Sequence, residues 1–341
     1  MSRIIARRRW SQFRQNKRAL FSLIIFISLF MVALFAPIIA NDKPLYVSYK
    51  GMPYYPLSEF VTDKDLGGNL PTEADFSDPY TQDQVDKYAD TIAPIIPWGP
   101  NTIDYQEKSP LPAPPSHRHL LGTDDQGRDI LARLIYGFRL SILFGLALTF
   151  LSTLIGVFVG AIQGYFGGRT DLLIGRILEI WGSLPQLFIL IIVSSLIVPG
   201  FWSLLIILLL FSWTALTGVV RAEFLRTRNL DYVKAAKILG VSDWQIMKRH
   251  ILPNALVATI TYLPFILAGA IVSLSALDFL GLGMPAGTAS LGDLIRQGKE
   301  NLQAPWIGLT AFISMTLILS LLLFIGEGIR DAFDPHSQEK L

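Results

Sequence analysis

Six stretches of the chain are long and apolar enough to cross a membrane as helices. They comprise residues 20–40, 140–166, 172–198, 201–221, 255–278 and 306–327. The third carries Arg176 and Glu179 near its start, and each of the others contains a charge-free run of about the ~20 residues that a bilayer requires. Lipid offers the backbone no hydrogen-bonding partner, so such spans must be helical. The pattern predicts an all-α integral membrane protein with six transmembrane helices.

The charged residues assign the connections to the two sides of that membrane. A basic segment, residues 1–19, precedes the first span, and the connection 222–254 between the fourth and fifth spans is also basic. Because positively charged connections stay in the cytoplasm, we expect both segments there, together with the tail 331–341. The first apolar run exceeds the hydrophobic region of a secretory signal, so we expect it to remain as a span.

The long connection 41–138 then lies on the outer side. It is rich in Pro, Asp and Tyr, and its acidic residues outnumber its basic ones. Residues 46–49 and 54–57 are candidates for short strands in an otherwise loop-rich insertion. Two interpretations stay open: the insertion is a partly ordered cap, or it is a surface that contacts a ligand.

Composition narrows the chemistry of the chain. Of its 341 residues 51% are hydrophobic and 16% are charged, and the net charge of +2 does not indicate a nucleic-acid partner. Cysteine is absent, which excludes disulfides, thiolate catalysis and cysteine-ligated metals. The four histidines show no metal-ligand spacing, and we expect His117 and His119 to be an ordinary exposed pair. The ionisable residues of the spans fall near span ends, so neither a metal site nor an intramembrane catalytic site is predicted.

Proline and glycine mark special positions within the spans. Pro185 removes a backbone donor inside the third span and should kink it, and Pro264 should do the same in the fifth. Gly156, Gly160 and Gly164 recur every four residues in the second span. Small residues at this spacing predict that one face of the span approaches a neighbouring helix closely.

The basic connection 222–254 contains a pattern typical of a short helix. Asn229 or Asp231 can cap its first turn. The apolar positions that follow recur at the spacing of a single helical face. These positions are Tyr232, Ala235, Ala236 and Leu239. They predict a helix with small side chains at the centre of one face.

A turn and a second helix follow in the same connection. Gly240 suits the left-handed conformation that ends a helix. Ser242 with Gln245 forms a capping-box pattern that begins another helix, and Pro253 marks the entry to the fifth span. The sequence therefore predicts a helix–turn–helix elbow between two spans, with alanines where the groove of another protein could sit.

This elbow resembles the EAA motif of ABC-importer permeases, in which Glu-Ala-Ala is followed by a glycine and then by Ile-x-Leu-Pro. The chain has Lys-Ala-Ala at 234–236, Gly240, and His-Ile-Leu-Pro-Asn at 250–254 at matching spacing. It departs from the general motif at Lys234 and His250. The closing five residues are similar to the dipeptide, oligopeptide and nickel branch of the family.

Further segments resemble the same branch. They are His-Leu-Leu-Gly-Thr-Asp-Asp-Gln-Gly-Arg-Asp at 119–129, Leu-Ala-Arg-Leu-Ile-Tyr-Gly at 131–137, Leu-Asp-Phe-Leu-Gly-Leu-Gly at 277–283 and Ala-Pro-Trp at 304–306. Asp278 stands where the branch often has serine. The insertion 41–115, which begins Asn-Asp-Lys-Pro-Leu, is similar to that of the Yej-type permeases associated with peptide and microcin C uptake.

The resemblance implies a type I ABC importer permease fold, in which 139–330 is the core permease domain and 41–138 is a periplasmic insertion. It implies a bacterial inner-membrane subunit that moves peptides, or peptide conjugates like microcin C, by alternating access. The implied partners are a second homologous permease, forming a heterodimer, cytoplasmic ATPase subunits and a periplasmic binding protein. Two alternatives remain: a permease for another solute such as nickel, or a secondary transporter outside the ABC class.

The resemblance also assigns a role to the elbow, which would dock on the ATPase. The implied ATPase-coupling residues are Asp231, Tyr232, Lys234, Ala235, Ala236, Gly240, Ser242 and Pro253. The chain has no G-x-x-x-x-G-K-[ST] sequence to hold ATP phosphates. We therefore expect no cofactor and no enzymatic activity in this chain, with ATP and Mg bound by the partner ATPase.

Overall fold

The computed structural model describes residues 2–76 and 78–333, and its elements are mostly helical. The helices are α1 (Ser2–Gln15), α2 (Lys17–Leu34), α3 (Ala36–Ile39), α4 (Pro79–Tyr88), α5 (Ile130–Phe166), α6 (Gly168–Ser183), α7 (Gln186–Leu196), α8 (Phe201–Ser212), α9 (Thr214–Thr227), α10 (Asp231–Ile238), α11 (Asp243–Ile246), α12 (Leu252–Phe279), α13 (Leu291–Glu300) and α14 (Pro305–Phe333). The strands are β1 (Tyr46–Tyr49), β2 (Met52–Tyr54) and β3 (Ala89–Ile92). Of the predicted tail 331–341, residues 334–341 lie outside the described residues.

The predicted spans correspond to long helices of this fold. Within residues 2–76 and 78–333, five helical segments are long and apolar enough to cross a membrane. They are α2, α5, α8 with α9 (Phe201–Thr227), α11 with α12 (Asp243–Phe279), and α14. Helices α6 and α7 qualify as a sixth span only when taken together, since they are bent by 70° at the break between them.

The ends of several spans differ from the sequence prediction, and the second and fourth spans show why. Helix α5 begins at Ile130 rather than at 140, because the Asp129 carboxylate accepts a hydrogen bond from the Ala132 amide at 2.7 Å and caps the helix there. The fourth span continues past 221 to Thr227, with a break at Trp213. Polar residues at a helix end do not stop the helix when their backbone is still satisfied, so hydropathy alone placed these ends too close to the apolar run.

The kink predicted at Pro185 is confirmed. Helix α6 ends at Ser183 and α7 begins at Gln186, and the Ser183 hydroxyl donates to the Ile180 carbonyl at 2.7 Å. Pro264 lies inside α12, which continues through it without a break, and the kink expected there stays a prediction. Leu184, the residue before Pro185, has an extended backbone and ends α6. Proline disfavours the helical conformation in the residue that precedes it.

The glycine face of the second span packs as predicted. A Cβ atom added to Gly160 would lie 2.7 Å from the Thr217 carbonyl oxygen, and one added to Gly164 would lie 2.6 Å from the Arg221 carbonyl oxygen. Gly156 approaches Trp213 of the Phe201–Thr227 span in the same way. The three contacts advance in the same direction along both helices, so the end of α5 and α9 run parallel and nearly touch through their backbones.

The insertion contains a small domain built on three antiparallel strands in the order β2-β1-β3. The strand predicted at 46–49 is β1, whereas the one predicted at 54–57 lies earlier, at Met52–Tyr54. Lys50 and Gly51, both with positive φ, make the turn between them, and Tyr49 pairs with Met52. Strand β3 and helix α4 were not predicted. Their side chains share a core with β1 that includes Val47, Tyr49, Val61, Leu66, Ala74 and Val85.

His119 fastens the insertion to the start of α5, which corrects the expectation of an exposed histidine. Its side chain is buried, with Nδ1 2.9 Å from Asp129 and Nε2 3.2 Å from Asp104. Arg118 forms a further ion pair with Asp104 at 3.0 Å, and the Trp98 ring packs on the imidazole. Since Asp129 also caps α5, this histidine clasp links a loop of the insertion directly to a membrane span.

Arg133 forms a second link at the same end of the molecule. The side chain is fully buried, and its guanidinium donates to the Pro100 carbonyl at 2.9 Å and to Asp293 of α13 at 2.9 Å. Asp124 lies 3.3 Å from its Nε. One cation therefore holds together the insertion, the start of α5 and the connection that leads to α14.

The histidine clasp predicts that stability depends on pH. Burial lowers the pKa of His119, but the hydrogen bonds to Asp129 and Asp104 outweigh it and raise the pKa above its ordinary value. The stabilisation is therefore complete below the unfolded-state pKa of about 6.5 and is lost as pH rises through the higher folded-state pKa. We expect the thermal midpoint of the purified protein to fall over that range.

The variant His119→Gln should lower the midpoint at acidic pH and remove this part of the pH dependence. His117→Gln is the matched control, because His117 is exposed and should leave the wild-type profile unchanged. Thermal unfolding in detergent between pH 6 and pH 9 measures both variants. An unchanged profile in His119→Gln contradicts the proposed ionic clasp.

The contact between α5 and α9 predicts opposite effects for two glycine substitutions. Gly160→Ala places a methyl group against a backbone carbonyl and should destabilise the protein by about 1–3 kcal/mol. Gly218→Ala, on α9, meets nothing within 4 Å and should be neutral or stabilising, because alanine favours a helix by up to about 1 kcal/mol. Thermal unfolding of both purified variants measures the difference, and equal midpoints would refute the close approach.

Candidate functional site

The predicted elbow is present as residues 228–251, between α9 and α12. It consists of α10, a tight turn, α11 and a π-helical turn, Met247–Ile251, that runs directly into α12. The elbow packs against the end of α5, whereas the insertion packs against its start. Helix α14 likewise begins beside the insertion, at Trp306, and ends beside α1. The elbow and α1 therefore both lie at the end of the molecule opposite the insertion.

Gly240 ends α10 as predicted. Its φ is +80°, in the left-handed region that favours glycine. The Gly240 amide donates to the Lys237 carbonyl at 3.1 Å, and the Val241 amide donates to the Ala236 carbonyl at 3.1 Å. These two bonds form a Schellman motif. No atom lies within 4 Å of a Cβ added to Gly240, so the backbone conformation, not lack of space, requires glycine.

The predicted helix caps are wrong in detail. Leu230 occupies the N-cap position of α10 and makes no side-chain cap. The Asn229 side chain instead donates to the Leu225 carbonyl at 3.0 Å and so serves the end of α9, while Asp231 is the first helical residue. Ser242 does occupy the N-cap of α11, but its hydroxyl makes no capping hydrogen bond. The predicted N-cap position of Ser242 is confirmed, but the predicted hydrogen bond of its side chain is absent.

The inner face of α10 consists of Val233 and Ala236. Both are buried in a core shared with Phe224 of α9 and with Ile246 and Ile251 of the elbow itself. The predicted accessible seat at Ala236 is thus incorrect, because its methyl group packs against its own chain. A small residue is needed there so that α10 lies close to the spans.

Tyr232 holds α10 to the start of α12. Its hydroxyl donates to the His250 carbonyl at 3.3 Å and accepts a hydrogen bond from the Asn254 amide at 3.0 Å. The ring is nearly half exposed. Pro253 lies in the first turn of α12 beside these partners and is exposed. Tyr232 and Pro253 therefore shape the elbow.

The outer surface of the elbow carries large apolar side chains that the sequence did not distinguish. Ile238 is 86% exposed and Leu239 is 81% exposed. Ala235 is also exposed, as are Asp231, Lys234 and Lys237. The helical spacing that marked Ala235 and Leu239 as one apolar face applies equally to Val233 and Ala236. Periodicity could not decide which of two apolar faces turns inward.

The elbow is tied to the membrane spans by polar contacts at the end of α5. Arg228 donates to the carbonyls of Gly164 and Tyr165, at 3.2 and 2.9 Å. The Tyr165 hydroxyl donates to Asp243 of α11 at 2.5 Å. The sequence did not predict the contacts of Arg228 and Tyr165, since neither residue belongs to a short motif. A displacement of the elbow must therefore move the end of α5 with it.

Basic residues outnumber acidic ones on the elbow and its approach. Arg226 forms an ion pair with Glu223 at 2.5 Å. Lys234 and Lys237 are exposed on α10. Arg221 makes a bidentate pair with Asp171 of α6, at 2.5 and 2.7 Å. The exposed positive charge is the feature that keeps a connection on the cytoplasmic side.

Potential metal ligands occur together away from the elbow. Asp104, Glu107 and His119 bring their ligand atoms within 4.8 Å of one another. Both nitrogens of His119 already face carboxylates, and Asp104 is also paired with Arg118. This geometry favours an ion-paired imidazolium over a metal ligand, which needs a free nitrogen lone pair.

Two family models match the chain. Residues 131–338 match the family described as binding-protein-dependent transport system inner membrane component. Residues 6–71 match the model of the N-terminal transmembrane domain of oligopeptide transport permease C. The first match contains the elbow, and the second contains α2 and the beginning of the insertion.

Two relatives are similar over nearly the full chain. The inner membrane ABC transporter permease protein YejE of Escherichia coli is 52% identical over 98% of this chain and 99% of its own. The peptidoglycan transport system permease protein YejE of Agrobacterium fabrum is 49% identical over 97% of this chain and 93% of its own. Among solved structures, a chain of the MetNI methionine ABC transporter in inward-facing conformations is 16% identical, with a TM-score of 0.49, covering 60% of this chain and 97% of that chain.

Proposed function

Because the chain belongs to the family of binding-protein-dependent transport system inner membrane components, we propose that it carries peptides and is driven through the elbow 228–251. Family membership makes it a multi-pass membrane permease subunit of an ABC importer. In such an importer the ATPase and the substrate-binding protein are separate subunits. What remains to be assigned is which surface meets which partner.

The exposed pair Ile238 and Leu239 is the observation that carries the coupling proposal. Large apolar side chains in contiguous, water-exposed positions mark a surface for another protein. Their helix is held to the end of α5 through Val233, Ala236, Arg228 and Asp243. A partner that grips the outer surface can therefore displace the spans rather than only bend a loop.

The predicted coupling residues then divide into two groups. Residues that offer an accessible surface to the ATPase are Asp231, Lys234, Ala235 and Ser242, joined by Ile238 and Leu239. Residues that position this surface are Tyr232, Ala236, Gly240 and Pro253. Binding of ATP and Mg, and the hydrolysis itself, belong to the partner subunit in this proposal.

The proposed substrates are peptides and peptide conjugates. Two observations support this class: the match of residues 6–71 to a model built on an oligopeptide permease, and a relative named for peptidoglycan transport. Peptidoglycan contains short peptides, so one substrate class accounts for both names. Conjugates like microcin C fall in the same class because they carry a peptide.

A second, homologous permease is the proposed partner within the membrane. The α6 and α7 pair exposes Leu172, Ile180, Phe188 and other large apolar side chains, and none of the side chains of α6 is buried. A helix pair that buries so little in its own chain can pack against another subunit as well as against lipid. Co-purification of two different permease chains from native membranes tests the heterodimer.

The proposed orientation places the elbow, α1 and the C-terminal tail in the cytoplasm and residues 41–138 in the periplasm. Single cysteines at Ser11, Ser58 and Ser337 report it, since the native chain has none. Ser11 and Ser58 are exposed, and Ser337 lies outside the described residues. In intact spheroplasts an impermeant thiol reagent should label Ser58→Cys and neither of the others. Labelling of Ser11→Cys would show that the N-terminal segment lies outside and that the proposed orientation is wrong.

The coupling surface predicts a selective loss in Leu239→Glu. Docking would bury an unpaired carboxylate in place of an apolar side chain, which costs a few kcal/mol at a close interface. A loss of ~3 kcal/mol weakens association about 100-fold. Peptide uptake and co-purification of the ATPase should both collapse, while the permease itself stays folded, because Leu239 is exposed in the isolated chain.

Three control variants separate docking from folding. Leu239→Met keeps the apolar contact and should retain uptake, and Lys237→Ala should have a mild effect. Ala236→Glu should instead lower the thermal midpoint, because its carboxylate enters the buried core of the elbow. Normal uptake by Leu239→Glu, at normal expression, means that the elbow is not the coupling element.

A further inference from the structure

Helix α1 is a separate element rather than an extension of the first span. The Asn16 amide donates to the Phe13 carbonyl at 3.1 Å, and the Asn16 side chain accepts from the Ala19 amide at 3.2 Å, which caps α2. Helix α1 packs on the end of α14 instead. Phe13 is 5% exposed there, and a Cβ on Gly328 of α14 would lie 3.1 Å from the Phe13 ring.

A cavity of about 320 Å³ lies where α1, α2 and α14 meet. Leu23 of α2 and Ile325 and Ile329 of α14 give it apolar walls, and Arg9, Trp10 and Phe13 of α1 close its outer end. Helices α2 and α14 are candidate membrane spans. The cavity therefore lies near the level at which these spans leave the hydrocarbon layer. Its apolar walls can be covered there by lipid chains or by protein.

Charge distinguishes this cavity from an ordinary lipid-facing groove. The Arg9 guanidinium lies 4.4 Å from the centroid of the Phe333 ring, and among the side chains that the structure describes no carboxylate lines the cavity. Basic residues exceed acidic ones on the surrounding elements. The basic residues are Arg3, Arg7, Arg8, Arg9, Arg14, Lys17, Arg18 and Arg330, against Glu327 and Asp331. The site combines apolar walls with a positive rim.

We propose that this cavity binds an anionic phospholipid, with an acyl chain against Leu23 and Ile329 and the phosphate at Arg9. A guanidinium binds phosphate oxygens through paired hydrogen bonds. Basic pockets between membrane helices select lipids of net negative charge, since a zwitterionic headgroup offers no net attraction to the surrounding cations. Trp10, which is 50% exposed, has the ring type that prefers the headgroup level.

The lipid would act as part of the packing of α1. Among the described side chains of α1 only Phe13 is buried, in a small core cluster with Ala19 of α2 and Ala332 of α14, so α1 is held by few buried side chains. A bound headgroup would add contacts to Arg9 and Trp10 and hold α1 in the plane of the membrane.

Lipid titration of the purified full-length permease, observed by native mass spectrometry, tests the proposal. The protein is delipidated by detergent exchange and then given phosphatidylglycerol or phosphatidylethanolamine with matched acyl chains. We expect tighter binding of phosphatidylglycerol, and Arg9→Gln should weaken that preference about fivefold. Arg14→Gln removes the same charge from the same helix, but its guanidinium lies over the Trp10 ring outside the cavity, so it should keep the preference.

Ile329→Trp tests the apolar part of the site without a change of charge, and it should reduce binding of both lipids. Glycerol 3-phosphate, added at the same concentration, should not displace the lipid. The proposal is overturned if wild type binds both lipids equally, if Arg9→Gln behaves like Arg14→Gln, or if glycerol 3-phosphate competes as well as lipid. It is also overturned if a second permease chain displaces the lipid on assembly, because the cavity is then a subunit contact.

Discussion

The close backbone approach of α5 and α9 is the contact on which the position of the elbow depends. Lipid is as apolar as a leucine side chain, so helices in a membrane associate through close fit rather than through exclusion of water. Gly156, Gly160 and Gly164 allow that fit. Because the two helices run parallel, α9 delivers Arg228 to the last carbonyls of α5, and the elbow leaves the membrane from a fixed position.

The elbow is built so that one short helix serves two surfaces. Val233 and Ala236 belong to the core of the chain, while Ile238 and Leu239 remain exposed. The left-handed Gly240 ends α10 and begins the short turn that leads to α11. The outward apolar surface is small, since it comprises Ile238 and Leu239, and it belongs to a helix whose other face is packed in the core.

At the end of α5 beside the insertion, buried charged residues hold the segments together, whereas small residues do so at the elbow. Arg133 and His119 join the insertion to α5, and carboxylates or carbonyls accept from the Arg133 terminal nitrogens and face both ring nitrogens of His119. Asp278 also contributes there, since its carboxylate accepts from the Met284 amide at 2.7 Å and shapes the connection after α12. The two ends of α5 are thus anchored by different chemistry, ionic beside the insertion and steric beside the elbow.

The amino-acid sequence by itself determined the membrane spans, the break at Pro185, the glycine face of the second span and the elbow with its left-handed Gly240. These features follow from local rules of hydropathy, backbone geometry and residue size, which act within a few residues. Only the tertiary structure decided that Ala236 turns inward and Leu239 outward, that His119 is buried, and that Arg133 joins three segments. Those outcomes depend on partners distant in the chain, such as Asp104 and Asp293, and residue spacing carries no information about which distant segment will lie alongside.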